Sequence, residues 1–549
     1  MQKRIQIAIA ALVIIIVVGG SVWYALTPRQ APTTKQPTLL SMTESGTGQL
    51  DPAVGSDETS SVEFVNLYDT LVYPTATGGV TPDIATQWSG TPDSLTWTFT
   101  LRTGTTFHDG TPLTANDVVF SLNRMLTIGQ GYSYLFTPYV STVTAPDNYT
   151  VVITLKRPFG PFVNSLVRIY ILNKQLVMSH VKTPGPYGAN GDYGSDWLLT
   201  HDAGSGAYMV KEVSVNEYVL MEKYSNYWGQ FVTNAPDEVK LYGTTEPATV
   251  KTMLSKGQID ITDRWQSSEA INDFSKMNNV TIVNIPTSAE LYLMINTKKP
   301  PTDDIYVREA MTYAFDYQTG AAVFPGSPVA AGPVPTVLPG HDPNAMPYTQ
   351  DIAKAQALLK QSRYYGQFDK YPVVYHWIAD VPDEEKVALL FADNMKAIGL
   401  PVNVVKIPWI SVVAEMGNES STPNVVSIFV EASYTEAGSI LQQRYSSQSV
   451  GTWEQGEWLQ NSTIDSMIAN ALATTDQTQR FQKYAQIQEV LMSMYPSIFV
   501  CNQVERRAYY AGYVDWYAAH AYVPVLGYDF NFRLIGLDAS KKAALFGSS

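Results

Sequence analysis

The chain has 549 residues, of which 45% are hydrophobic, 12% aromatic and only 16% charged, which excludes a disordered or coiled-coil protein and leaves room for several domain-sized units. Its 50 acidic residues against 36 basic ones give a net charge of −14, which argues against a nucleic-acid partner, because a phosphate backbone selects a basic surface. Cys501 is the only cysteine, so no internal disulfide and no thiolate metal cluster can form.

Lys3 and Arg4 precede residues 5–26, an almost unbroken apolar run interrupted by Gln6 and Ser21 and closed by Trp23 and Tyr24. At about 1.5 Å per residue this run can cross a hydrocarbon core of roughly 30 Å, and the basic pair favours an inside N-terminus. The sequence after it, Trp23-Tyr24-Ala25-Leu26-Thr27, is a poor cleavage site, so an uncleaved anchor over residues 1–27 is the preferred expectation and a cleaved signal peptide the rival one. Residues 28–38, rich in proline, read as a tether to an extracytoplasmic body.

Within the body, residues 96–101 alternate Trp97, Phe99 and Leu101 as a strand. Thr114 and Asp117 form a capping box opening a helix whose buried stripe is Val118, Leu122, Met125 and Leu126. Strands are expected at 151–155, 259–261, 291–295, 373–376, 402–407, 425–430 and 497–500. Helices are expected at 246–256, 303–316, 350–360, 383–398 and 478–494, with Gly399 as an αL cap. The alternation of strand and helix predicts α/β sheets with connecting helices. Residues 326–347, rich in glycine and proline, read as a long surface loop.

Catalytic patterns are missing. The chain has no phosphate-cradling glycine loop, no G-x-S-x-G elbow and no H-E-x-x-H, and its six histidines show no metal-ligand spacing, so neither cofactor nor metal is expected and the chain does not read as an enzyme. Asp303-Asp304 and Glu384-Glu385 read as helix-opening carboxylates, and Gly204-Ser205-Gly206 as a plain turn. His108 reads as part of a turn, and Arg102 and Arg124 as scaffold ion-pair partners.

Several stretches taken together resemble one family. They are Tyr68-Asp69-Thr70-Leu71-Val72, Pro82-Asp83-Ile84-Ala85 with Trp88, the run from Thr98 through Phe107-His108-Asp109-Gly110 to Arg124, and the run from Gly204 to Gly229. Lys256-Gly257-Gln258-Ile259-Asp260, the run from Val307 to Asp316, and Asn461, Asp465, Arg480 and Pro496 follow in order. This order is similar to the solute-binding proteins of peptide-type (oligopeptide, dipeptide, nickel; family 5) ABC transporters. The resemblance implies a two-lobed periplasmic-binding-protein-like α/β fold (type II, large cluster C form) with an inserted third subdomain. Lobe I would comprise residues 39–67, 168–285 and 501–549, the insertion 68–167, and lobe II 286–500. It further implies a monomeric body that closes on its ligand and delivers it to permease subunits driven by cytoplasmic ATPases.

In peptide-binding members a lobe II strand is followed by an acidic-aromatic-proline-acidic-proline run whose first acid holds the peptide ammonium. The corresponding segment here places Ser433 at the first acid and keeps Tyr434 and Glu436, with Glu431 as a substitute acid. Candidate ligand contacts are therefore Glu431, Tyr434 and Glu436, with the aromatics Trp265, Tyr132, Tyr134, Trp377 and Trp409, each at or just past an expected element end; Trp265 is preferred among the aromatics. The expected function is capture of oligopeptides for import. Oligosaccharides or another neutral solute, and a tethered sensory module without transport, are the alternatives.

Overall fold

The computed structural model describes residues 37–547. The expected anchor, residues 1–27, and nearly all of the tether lie outside the described residues. Among those described, no helix is long and apolar enough to cross a membrane.

Three sheets carry the α/β architecture. The first orders Leu39–Glu44, Glu238–Gly243, Tyr218–Lys223 and Tyr208–Ser214, with Leu39–Glu44 parallel to its neighbour and the others antiparallel. A second, antiparallel sheet orders Ala85–Gly90, Thr96–Leu101, Thr150–Leu155 and Val140–Asp147. The third has five strands, in the order Val402–Ile407, Val373–Ile378, Val425–Val430, Thr281–Ile295 and Ser497–Tyr509. Its central strand, Val425–Val430, is apolar apart from Ser427 and buried nearly throughout, as a strand covered on both faces must be. Period-two alternation then divides the core: Leu291, Leu293 and Ile295 pack on one side of this sheet, Tyr292 and Met294 on the other.

The capping box at Thr114 and Asp117 opens Ala115–Ile128, and Val118, Leu122 and Met125 are buried along it. Gly399 adopts the expected left-handed φ, +83°, after Glu384–Ala397. Gly204 and Gly206 are required by close approach, since a Cβ at Gly204 would collide with the backbone of Leu67 and one at Gly206 with that of Asn66 and Leu67.

Four local expectations change. Residues 259–261 form no regular strand; Ile261 makes isolated bridges to Met42 and Tyr509, while the Asp260 carboxylate takes the Ser41 N–H at 2.8 Å and the Tyr513 hydroxyl at 2.8 Å. The helix expected over 303–316 is Ile305–Ala314, and Asp316 caps a separate short helix, Tyr317–Ala322. The short strands at 291–295 and 497–500 are pieces of two long antiparallel partners, Thr281–Ile295 and Ser497–Tyr509. The expected lobe boundaries at 285/286 and 500/501 fall inside them. Finally, residues 326–347 are held against the second of these strands: Asn502 N–H bonds Pro328 O, Ala330 N–H bonds Val500 O, and Val334 and Leu338 are buried.

The ladder between the long strands slips between Pro286 and Glu290. Proline has no N–H to offer, and Thr287 Oγ1 takes the Ala289 N–H instead of a cross-strand carbonyl. This bulge brings Ala289 to the cavity described next.

Candidate functional site

A cavity of about 80 Å³ is lined from the first-sheet side by Asp57, Glu58, Arg264 and Trp265, and from the five-stranded side by Asp380, Glu384, Trp409, Phe429, Glu431 and Trp453, with Ala289 of the bulge. Local chemistry positions each wall. Asp57 is the N-cap of Glu58–Leu67, taking the Ser60 N–H at 3.0 Å, so Glu58 sits at the helix mouth. Asp263 takes the Trp265 N–H at 2.9 Å and the Gln266 amide at 2.8 Å, a turn that presents Trp265. Asp380 takes the Trp409 N–H at 3.1 Å at the start of Trp409–Met416.

Behind the wall lies a buried charge network. Arg264 meets Glu58 at 2.9 Å, Glu431 at 3.0 Å and Glu505 at 3.5 Å. Arg507 meets Glu44 and Glu58 at 3.0 Å each, and Glu505. Four carboxylates thus share two guanidinium groups. Burial raises the Glu44 and Glu58 carboxyls against the pull of the arginines, and lifts Asp529 nearby as well. The Arg264 guanidinium also lies 4.6 Å from the Trp265 ring centroid, a cation–π contact.

Of the residues singled out from the sequence, Trp265, Trp409 and Glu431 come together around this cavity. Trp265 packs on Phe429 with centroids 5.7 Å apart, and Trp409 meets Trp453 edge-on at 5.2 Å. Trp409 Nε1 reaches Asp57 at 3.4 Å and Trp453 Nε1 reaches Ser56 at 3.3 Å, so both rings touch the cap of the opposite wall. Glu431 is already occupied: Arg264 and the Tyr522 hydroxyl bond it, with Ser288 Oγ at 3.4 Å.

The other five are not brought to the cavity. Trp377 alternates with Ile378 and so faces the opposite side of the sheet, buried with Tyr375 and Phe391. Tyr132 is bonded to Ser61 Oγ at 2.7 Å, beneath the Arg168 guanidinium. Tyr134 bonds Ser433 Oγ at 3.0 Å, while Arg168 Nε donates to Ser433 O at 2.8 Å, so the position of the expected first acid is filled by the protein itself. Tyr434 is buried edge-on to Phe159. Glu436 takes Arg480 Nε at 2.7 Å and Nη2 at 3.0 Å and the Tyr484 hydroxyl at 2.6 Å.

Glu384 was legible only as a helix-opening carboxylate, yet it is a fully buried wall residue. Its Oε2 takes the Ile378 N–H at 3.0 Å and Ser427 Oγ at 2.6 Å; its Oε1 has no partner. Burial lifts this carboxyl to about 8, against the two bonds that favour its ionised form. A glutamate in a first helical turn carries no mark that separates the two roles; only the strand returning beside it, with Ser427, does.

Residues 79–450 match the model of the bacterial extracellular solute-binding proteins, family 5. The chain belongs to that family. It is a non-catalytic solute-binding protein of the peptide-type ABC transport group, with an extracytoplasmic body. It is 28% identical over 457 residues to a probable D,D-dipeptide-binding periplasmic protein of Escherichia coli (strain K12), covering 81% of this chain and 84% of that one. The fold is similar to that of a Helicobacter pylori periplasmic binding protein in complex with the peptide STSA, with a TM-score of 0.81, 22% identity and coverage of 92% and 100%. It is also similar to an Agrobacterium binding protein in complex with agropinic acid, with a TM-score of 0.78, 20% identity and coverage of 91% and 99%. At such identities the likeness concerns the fold alone.

Proposed function

We propose that this protein captures oligopeptides by closure of its two lobes and hands them to the permease of an ABC importer. The observation that carries the reading is the cavity itself: carboxylates and three tryptophans, contributed from both sides, in a chain of this family. Peptides offer the amide edges and side chains that such a wall packs, and a charged terminus for its acids. The large three-subdomain form, with residues 68–167 as the insertion and lobes I and II as bounded above, belongs to the same proposal, as does an anchor formed by residues 1–27. The separate antiparallel sheet held within residues 85–155 supports the insertion, and the two long strands run across the proposed lobe boundaries.

Titration calorimetry of the body with a mixed tripeptide pool and a panel of oligosaccharides tests the ligand class. Saturable micromolar binding of peptides is expected; saturable binding of a sugar with none of peptides overturns the reading. N-terminal sequencing of protein taken from its native membrane tests the anchor, with a mature start between Ala25 and Lys35 counting against it.

A further inference from the structure

Five carboxylates line the cavity, those of Asp57, Glu58, Asp380, Glu384 and Glu431, against the single guanidinium of Arg264. Several are spent within the protein. Asp57 caps its helix and takes Trp409 Nε1, and both oxygens of Glu431 are bonded, by Arg264 on one side and by Tyr522 and Ser288 on the other. Glu58 is paired through Oε1 with Arg264 and Arg507, but Glu58 Oε2 and Glu384 Oε1 are buried oxygens without a hydrogen-bond partner. Leaving such an atom unpaired costs free energy that a ligand donor recovers.

We infer that the cavity receives an ammonium group of the ligand at Glu384, with Glu58 as the second carboxylate and the rings of Trp265, Trp409 and Trp453 as its apolar surround. The inference rests on the peptide reading above and names what that reading leaves open, which acid meets the charge. An ammonium supplies donors to the unpartnered oxygens and favours the ionised form of these carboxyls, whereas a ligand carboxylate would bring no donor to them. The raised Glu384 carboxyl fits this arrangement, since burial strips the solvation that favours its ionised form and an ammonium beside it would supply a counter-charge. Ser433 and Glu436 have no such role, being bonded to Tyr134 and to Arg480.

The charge can come from a peptide N-terminus or from a lysine side chain, and four probes separate the sources. Calorimetry at pH 7 compares Ala-Ala-Ala, N-acetyl-Ala-Ala-Ala, N-acetyl-Ala-Lys-Ala and cadaverine on wild type, Glu384→Gln and Glu58→Gln. Glutamine at 384 keeps an acceptor for Ile378 and Ser427, and the wild-type comparison needs no variant. Preference of wild type for the free over the acetylated tripeptide assigns the N-terminus; preference for the lysine peptide over acetylated alanine assigns the side chain. Either preference is expected to reach about thirtyfold and to collapse in Glu384→Gln. Equal binding of charged and neutral peptides overturns this inference alone, as does a preference that survives in both variants. Binding of cadaverine with no peptide supports the ammonium site and sinks the peptide reading; no binding by any probe overturns both.

Discussion

Replacing Glu436 by alanine should damage stability and spare binding. The residue stands in the segment where peptide-binding relatives place ligand-contacting acids, yet it is 1% exposed and committed to Arg480 through two charge-assisted bonds, 2.7 and 3.0 Å, with the Tyr484 hydroxyl at 2.6 Å. Glu436→Ala leaves Arg480 Nε and Nη2 facing apolar surroundings, while Nη1 keeps only the carbonyls of Thr474 and Thr475. Removing one partner of a buried ion pair costs about 3–5 kcal/mol, most of it from the charge left behind. Guanidinium unfolding followed by circular dichroism measures it, with Arg480→Ala and the double variant completing a cycle in which the double loss falls short of the sum. Tripeptide affinity of the folded variant should stay within about twofold, because neither residue lines the cavity. A stability loss below about 1 kcal/mol, or a tenfold fall in affinity with the fold intact, would refute the reasoning.

His108 supplies a pH-dependent contribution. Burial works against its charged form, but the Asp202 carboxylate and the Gly206 carbonyl, bonded to its two ring nitrogens, outweigh burial and raise its pKa. The stabilisation is therefore complete below about pH 6.5 and disappears as pH rises through the raised folded value; the unfolding midpoint of His108→Gln should lose this alkaline slope, and an unchanged slope counts against it. Cys501, on the long strand Ser497–Tyr509, is buried, and burial, with Glu290 adding to it, pushes its thiol up; a maleimide reagent should leave the folded protein unlabelled, and Cys501→Ala should cost roughly 1–2 kcal/mol with affinity unchanged. Trp265→Ala should weaken tripeptide binding about tenfold, or ~1.4 kcal/mol, with the unfolding midpoint little changed; calorimetry checks the first and circular dichroism the second.

Local elements were legible where short-range chemistry decides them. Thr96–Leu101, Val402–Ile407 and Val425–Val430 begin and end where their apolar patterns do, and the Thr114–Asp117 capping box opens its helix. Long-range pairing was not legible. Glu58 and Arg507 bond across 449 positions, and nothing near either residue announces the other. The same limit explains the site. Trp265 and Trp409, read from their places at element ends, line the cavity, but so does Glu384, whose identity as a wall residue depends on Ile378 and Ser427 folding beside it. Trp377 shows the converse: one step of strand alternation separates it from Ile378, which lines the cavity, and puts its ring into the core.

The most direct test is to identify what the protein carries. Receptor purified from its native cells without added ligand, then denatured and its released small molecules sequenced by tandem mass spectrometry, should yield short peptides bearing a free amine. Recovery of a stoichiometric neutral saccharide, or of N-blocked peptides without lysine, would contradict the central claim that this carboxylate-lined cavity is a receptor for cationic peptides.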